Sequence, residues 1–454
     1  MFGKWNLRLW AGEDTLKWIN IASLMNILLA FVAFAKDTAL AAYFGTSSYA
    51  DALSLAFFIP DSIGNSIIAA ALGIAAVPVF SQIYTKNKMS KRFQYGVQLL
   101  LRDSIVIGAV LMLLVWTLQA QIIHGFGAGL DNHNQLLFRQ LLFILTPLLM
   151  LFPIMMIFNA AAQSMELYYV SGASQTVFNL IYLVVIMMLM IAQVTPYKGT
   201  TVTAIGIDTA AAFAILYILN MIKKNGVLIA ARIPANHSFE EKLLAQKDRL
   251  QIYRILWPYA SIFLASQLVY VIERYLAAGL EVGTIASLNY AYRLSQFPIW
   301  IFVTAINLVV FPILSRNQSN KEKSQSVLQG AVQITILVTI PASLLFFFGR
   351  RWIVSLLFEH GLFDQHSVEV TATILSGYSL AIVGQAVSAV YLRYFAASGQ
   401  IYAPAVLFIA SSLANVGFDF WFVPLFGASG IGYGAAIAAL LNVLLILLWM
   451  KIKA

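Results

Sequence analysis

The chain has no cysteine, few charges and only five histidines, and each shortage removes a class of protein. Without cysteine there is neither a disulfide framework nor a thiolate metal site. Charged residues make up 10% of the 454 positions and hydrophobic ones 61%. A soluble domain carries about 25% and about 45–50%. Mean hydropathy is +0.82, so a water-soluble globule is excluded. The histidines, His124, His133, His237, His360 and His366, all fall in loops or at the ends of apolar runs. No HExxH, GxSxG or Walker-type pattern occurs. An intramembrane hydrolase needs a nucleophile with a base, or paired acids, at depth. The chain therefore reads as no enzyme.

What is present is apolar length. At about 20 residues per crossing, the sequence predicts about twelve spans. The first six cover 18–44, 50–84, 93–123, 135–163, 169–194 and 201–222. The second six cover 253–280, 284–315, 326–357, 368–397, 402–424 and 429–450. Several exceed the minimum, which implies tilt or kinks. Pro60, Pro78, Pro147, Pro298 and Pro312 lie inside spans or at their ends, where neighbours must satisfy the freed backbone groups. Met1 to Lys17 is amphipathic, with Trp5 and Trp10, and lacks the short apolar core and cleavage site of a signal peptide. It reads as a cytoplasmic interfacial segment, 1–17.

Charge in the short loops sets orientation. One side collects Lys4, Arg8, Lys17, Lys86, Lys88, Lys91, Arg92, Lys223, Lys224, Arg232, Lys242, Lys247, Arg249, Arg316, Lys321, Lys323, Lys451 and Lys453. The other offers little beyond Lys198 and Arg350-Arg351. The positive-inside rule makes both termini cytoplasmic. The net charge of +9 then reflects topology and contact with anionic membrane lipids. Nucleic acid is not a partner, because no basic-aromatic module accompanies the charge.

The second half echoes the first. Asp37 stands three residues before Leu40-Ala41-Ala42, as Glu273 does before Leu276-Ala277-Ala278. Val77-Pro78 recurs as Phe311-Pro312, Ala161-Ala162 with Tyr168 as Ala396-Ala397 with Tyr402, and Asn179 as Asn415. Every offset lies between 234 and 236. Six spans per half make a parallel repeat, with a substrate site expected between the halves. The sequence thus predicts an all-α polytopic membrane protein of about twelve transmembrane helices in two parallel six-helix lobes around a central cavity. The N-lobe is 18–222, a cytoplasmic basic linker is 223–252, and the C-lobe is 253–454.

Ionisable side chains at membrane depth cost roughly 2.5–3.5 kcal/mol each and usually face a partner or a wet path. Lys36-Asp37 and Glu273-Arg274 are such positions, one in each half. Neighbours in a helix do not face each other, so Lys36 and Asp37 are each expected to find a separate partner. Arg293 has no acid at i±3 or i±4, which favours anion binding through its fork of donors. Arg102-Asp103 could pair with Asp208, Asp61 could cap the helix broken at Pro60, and Asn65 could join helices by a hydrogen bond. Arg393 sits near a span end, where it can snorkel. A transporter follows; a scaffold would not need charges buried in both repeats.

Several ordered motifs resemble the MurJ (MviN) family of lipid II flippases, within the multidrug/oligosaccharidyl-lipid/polysaccharide exporter superfamily. They are Ala35-Lys36-Asp37, Phe44-Gly45, Ala50-Asp51-Ala52, Ile59-Pro60, Glu273-Arg274, Asn289-Tyr290-Ala291, Arg293-Leu294, Phe297-Pro298, Leu357-Phe358-Glu359-His360-Gly361, and Asn415 followed by Asp419. The resemblance implies a bacterial cytoplasmic-membrane flippase for an undecaprenyl-pyrophosphate-linked saccharide, with lipid II first and another lipid-linked glycan second. It implies substrate-binding roles for Lys36, Asp37, Asp51, Asn65 and Arg293. It further implies a sodium ion as coupling cation, held by Glu273, Asn415, Asp419 and the carbonyl of Ile431, and no other cofactor. A monomer meeting cell-wall polymerases is the expected assembly. Departures are visible: two family arginines fall at Ala30 and Gly64, a glutamate at Ala69, and a sodium-site threonine at Ala435. The chain also stops near the twelfth span, where these flippases usually add two helices. A cation-coupled drug exporter of the related MATE type is the alternative.

Overall fold

A backbone that crosses hydrocarbon must satisfy its own N–H and C=O groups, and apolar runs of this length do so as α-helices. The computed structural model describes residues 13–86, 91–127, 130–225, 239–303, 321–397 and 402–453, with helical regular structure throughout. Residues 1–12, the connector residues 226–238 and the Phe311–Arg316 motif lie outside the described residues. In chain order the helices begin with α1 (Glu13–Phe44), α2 (Ser48–Pro60), a π-helical stretch (Asp61–Ala69) and α3 (Ala70–Lys86). Next come α4 (Lys91–Thr117), α5 (Gln119–Phe126), α6 (Asn132–Leu145), α7 (Leu148–Ser164), α8 (Tyr168–Ile191) and α9 (Pro196–Lys224). The second half holds α10 (Phe239–Ala278) and α11 (Thr284–Pro298), which runs into a π-helical Ile299–Val303. It ends with α12 (Lys321–Phe348), α13 (Arg350–Phe358), α14 (Gln365–Ala397), α15 (Tyr402–Phe426) and α16 (Ser429–Lys453).

Among the described residues, 10 helical stretches are long and apolar enough to cross a membrane. With α1 and the α11 segment added, the expected count of about twelve is reached. Both halves use proline in one way. Pro60 and Pro298 lack the N–H that would continue the i→i−4 ladder, and each is followed at once by π-helix. Two runs end earlier than the sequence suggests. The third divides into α4 and α5 at Leu118, and the ninth into α12 and α13 at Gly349. The seventh starts earlier, at Phe239 instead of 253. The physical reason is local: 240–247 are helix formers, and Glu240 and Glu241 sit in the first turn, where the helix dipole favours acids.

The chain forms two compact units. The first holds Met1–Leu40, Ala56–Gln121 and Leu137–Phe263. Its core helix α7 meets α3, α4, α8, α9 and the first π-helical stretch. Small residues allow the close approach: a Cβ on Gly108 would press on Met150 at 2.7 Å, and one on Gly206 on Val185 at 2.8 Å. In this unit the start of α10 is tied to α4. Arg92 donates from Nε and Nη2 to the two carboxylate oxygens of Asp248, at 2.7 and 2.6 Å. Asp103 accepts from Tyr253 at 2.8 Å and stands 2.6 Å from Arg249 Nε. Arg102 and Asp208 do not form the ion pair considered from sequence: Asp208 Oδ1 has no hydrogen-bond partner among the described residues, and Asp103 is met by Arg249.

The second unit holds Ala41–Leu55, Ile122–Leu136 and Leu264–Ala454. Here α14 is central, packed on α11, α12 and α16. It approaches α16 so closely that a Cβ on Gly377 would lie 2.7 Å from Gly432 Cα. The turn after α1 packs in this unit. Leu362 N–H donates to Ala42 O at 2.8 Å, and the Thr46 and Ser367 hydroxyls are 2.8 Å apart. Asp364 accepts from the Ser367 backbone N–H and hydroxyl, which holds its carboxyl below the usual range.

Candidate functional site

Helices α10, α11, α14, α15 and α16 of the second unit enclose a cavity of about 340 Å³, lined by Tyr270, Glu273, Tyr292, Gln385, Asn415 and Asn442 among others. Its wall is hydrogen-bonded. Tyr378 donates to Glu273 Oε2 at 3.0 Å, the Tyr270 and Tyr292 hydroxyls are 2.7 Å apart, and Gln296 donates to Gln385 at 2.9 Å. Asn442 donates to Ser388 at 3.0 Å. At one end Asn415 and Asp419 lie one turn apart on α15, and Asp419 is 0% exposed. Neither Asp419 oxygen, nor Asn415 Oδ1, has a hydrogen-bond partner among the described residues. Gly434 leaves that space open, since a Cβ there would collide with Asp419 Oδ1.

Buried oxygens without partners are costly unless something meets them. Two carboxylates and an amide suit a hard, low-charge cation, as hard cations prefer oxygen ligands. Glu273 and Asn415 both line this cavity, and Asn415 and Asp419 both border the space at Gly434. Ile431 is fully buried in the first turn of α16, near Gly434 in sequence, and Ala435 adds no side-chain oxygen to the cavity wall. No cluster of three His, Cys, Asp or Glu occurs among the described residues. The structure thus brings Glu273, Asn415 and Asp419 together. The link from Tyr378 to Glu273 spans 105 positions, a separation no local spacing reveals.

A second polar group lies on α10 and α11. Arg274 donates to Asn289 Oδ1 at 2.6 Å and to the Tyr270 carbonyl at 3.2 Å, with its guanidinium 5.8 Å from the Tyr270 ring centre. Arg293 follows Asn289 by one turn on α11. Both arginines are half-buried.

In the first unit Lys36 and Asp37 are buried, and Lys36 Nζ is 3.1 Å from Asp37 Oδ1 and 5.1 Å from the Tyr182 ring centre. The two residues, expected to find separate partners, also meet each other. A lysine stem is long enough to bend back to its neighbour, although the Cβ directions diverge. Asn65 donates to Asp61 Oδ1 at 2.9 Å, one turn away in the π-helical stretch. Asp61 thus meets a side chain instead of capping the broken helix. Gly64 is tightly packed: a Cβ there would stand 3.1 Å from the Leu148 carbonyl oxygen, so a larger side chain would need that backbone to shift. Arg393 is exposed near the end of α14, as snorkelling requires.

Asp51 stands apart from these groups. Its carboxylate is buried and accepts from the backbone N–H groups of Gly283 and Ala286, at 2.6 and 2.8 Å. Both oxygens hold the first turn of α11, with Gly283 at φ +90° pressed against Thr46. That occupies the carboxylate expected to meet substrate.

Comparison with known proteins agrees with this architecture. The family described as "Lipid II flippase MurJ" matches residues 40–454. A "Probable lipid II flippase MurJ" of Treponema pallidum is 25% identical over 441 residues, covering 95% of this chain and 81% of the relative. A "Lipid II flippase MurJ" of Burkholderia cenocepacia is 21% identical over 439 residues, covering 94% and 81%. Among solved structures, "Lipid II flippase MurJ, inward closed conformation" superposes with a TM-score of 0.78 at 20% identity, covering 95% of this chain and 87% of that one. An inward-facing multidrug resistance MATE transporter of the MOP superfamily reaches 0.78 at 15% identity, covering 95% and 97%. At those identities the structural likenesses speak for the fold, while the family match over 40–454 decides between neighbours: this chain belongs to the MurJ family.

Proposed function

We propose that this protein is a flippase that carries lipid II across the bacterial cytoplasmic membrane by alternating access. The observation that carries the reading is the family match over residues 40–454. Basic side chains at membrane depth fit an anionic headgroup. The protein is a transporter and not a catalyst. Its partners are a lipid-linked substrate and the membrane lipids around it, in a multi-pass chain of the inner membrane. Finer points belong to the same proposal. Both termini face the cytoplasm, the lobes are 18–222 and 253–454, the linker is 223–252, and the protein acts as a monomer near cell-wall polymerases.

Arg293 grips the pyrophosphate with its fork of donors. Lys36 joins once its contact with Asp37 yields, and Asn65 meets the sugars. The cation site comprises Glu273, Asn415 and Asp419 with the Ile431 carbonyl; these oxygens would hold a sodium ion, which would supply fixed positive charge. In its absence this chain's own groups must carry a proton or remain as two buried carboxylates, which repel each other. An ion bound there would couple these carboxylates to substrate movement. A MATE-type drug exporter is the second reading, favoured only by the fold; buried cations argue against a cationic cargo.

The test is complementation of a flippase-depleted strain. Arg293→Ala is expected to abolish growth support at normal protein level, because charge-assisted hydrogen bonds contribute about 1.5–3 kcal/mol. Full growth would remove Arg293 from the site. In proteoliposomes, Glu273→Gln and Asp419→Asn should each weaken the sodium dependence of transport, and the double variant should add little, since residues on one ligand couple. Unchanged sodium dependence in either single variant would break up the shared site.

A further inference from the structure

The cavity of the second unit holds about 340 Å³, far more than the roughly 30 Å³ that one water occupies, and it is drawn out in one direction. From Glu273 the lining runs back along α10 to Ser266, and from Asn415 back along α15 to Pro404. From Tyr378 it runs on along α14 to Leu392, and from Ala435 along α16 to Ile446. Each stretch covers about two to four helical turns, roughly 10–20 Å, and leads toward the face of the unit at which α16 ends. Charge along this length is of one sign. Glu273 is the only acid among the described lining residues, and no lysine or arginine joins it.

Midway lie amides and hydroxyls, those of Gln296, Gln385, Ser388, Ser411 and Asn442. Their mutual bonds use donors. Gln296 gives an amide N–H to Gln385 Oε1 at 2.9 Å, and Asn442 gives one to Ser388 at 3.0 Å. Asn442 is 7% exposed, and its Oδ1 has no hydrogen-bond partner among the described residues. It follows Gly434, beside Asp419, by about two turns of α16. From this arrangement we infer that Gln296, Gln385, Ser388 and Asn442 form a transit site for a partly hydrated monovalent cation. The route runs inside the second unit, between the pocket of Glu273, Asn415 and Asp419 and the face at which α16 ends. The inference rests on the proposed cation site and adds to it the ion's way in and out.

A tie between α14 and α16 is the competing role of Asn442. A tie needs only the donated N–H and leaves a buried amide oxygen unmet, which is costly. A prenyl chain in the cavity would leave it unmet as well, and a phosphate would find no basic side chain in the described lining. A hydrated cation meets it. Neutral oxygens also suit passage, because they hold a hard ion more weakly than carboxylates do, so that it enters and also leaves.

The experiment measures binding of radioactive sodium to the full-length purified protein in detergent, and its exchange against unlabelled sodium. Wild type should bind sodium saturably. Asn442→Leu should slow the exchange about tenfold and keep the equilibrium affinity within about threefold, since a route alters entry and exit alike. Asn442→Asp keeps the shape and puts a carboxylate on the route, so it should add a second sodium ion per protein. This variant decides the matter if the leucine variant does not fold. An unchanged exchange rate in a folded Asn442→Leu would mean that the oxygen meets water only, and it would overturn the transit site. A loss of affinity without slower exchange would reduce Asn442 to a tie, and a folded Asn442→Asp with no second ion would remove the site as well. A wild type without saturable sodium binding would instead overturn the proposed cation site itself.

Discussion

Asp51 shows how a residue that looks functional by position becomes structural by geometry. An acid in an apolar run invites a ligand, but here two backbone N–H groups at the start of α11 take both oxygens. Helix starts expose donors that a carboxylate satisfies well, with help from the helix dipole. Asp51→Ala would leave two buried donors unmet and should lower stability by about 1–3 kcal/mol. Asp51→Asn keeps one acceptor and should lose less. Thermal unfolding in detergent measures both, and equal melting temperatures for wild type and Asp51→Ala would refute the cap. Nothing local in the sequence points to this contact, because the partners are 232 and 235 positions away. By contrast, Asn415 and Asp419 were legible: their i, i+4 spacing puts them on one face whatever the fold around them. Lys36 and Asp37 fell between these cases, since helix geometry described their Cβ directions but not the reach of a lysine stem.

Elements were legible where periodicity gives way to length, and less so at their ends. Apolar runs located the crossings, while Pro60 and Pro298 marked the places where α-helix turns to π-helix. The beginning of α10 was harder, because its charged first turns read as a solvated connector until the acid–base pairs with α4 are seen. Arg92–Asp248 is bidentate, with Asp248 only 9% exposed at the side chain, and Asp103 with Arg249 and Tyr253 forms a second tie. Exposed pairs contribute about 0–1 kcal/mol, but this geometry belongs to the stronger bidentate class. Arg92→Asp should therefore lower the melting temperature and speed hydrogen exchange in residues 240–252. Arg92→Asp with Asp248→Arg should recover most of both. If the swapped pair is as impaired as the single variant, the tie contributes through packing and not charge.

At the scale of the whole molecule, orientation is the property that the loops encode, and the absence of cysteine makes it directly measurable. Each inserted cysteine is the only thiol in the protein, so labelling needs no background correction. Lys198 and His360 are exposed on the side expected to face outward, and Lys224 and Lys247 on the side expected to face the cytoplasm. The positive-inside rule assigns the basic residues to the second side, where anionic lipid and the insertion machinery would retain them. Lys198→Cys and His360→Cys should react with a membrane-impermeant maleimide in intact spheroplasts. Lys224→Cys and Lys247→Cys should react only after permeabilisation. The reverse pattern would invert the topology, and with it the direction in which Arg293 and its neighbours would have to accept the headgroup. Lys198 and Lys224 lie at opposite ends of α9, so labelling of Lys224→Cys and Lys198→Cys from the same side would mean that α9 does not cross the membrane. That result would break the six-span count on which the parallel repeat depends, because only an even number of crossings per half returns each repeat to the face from which it started.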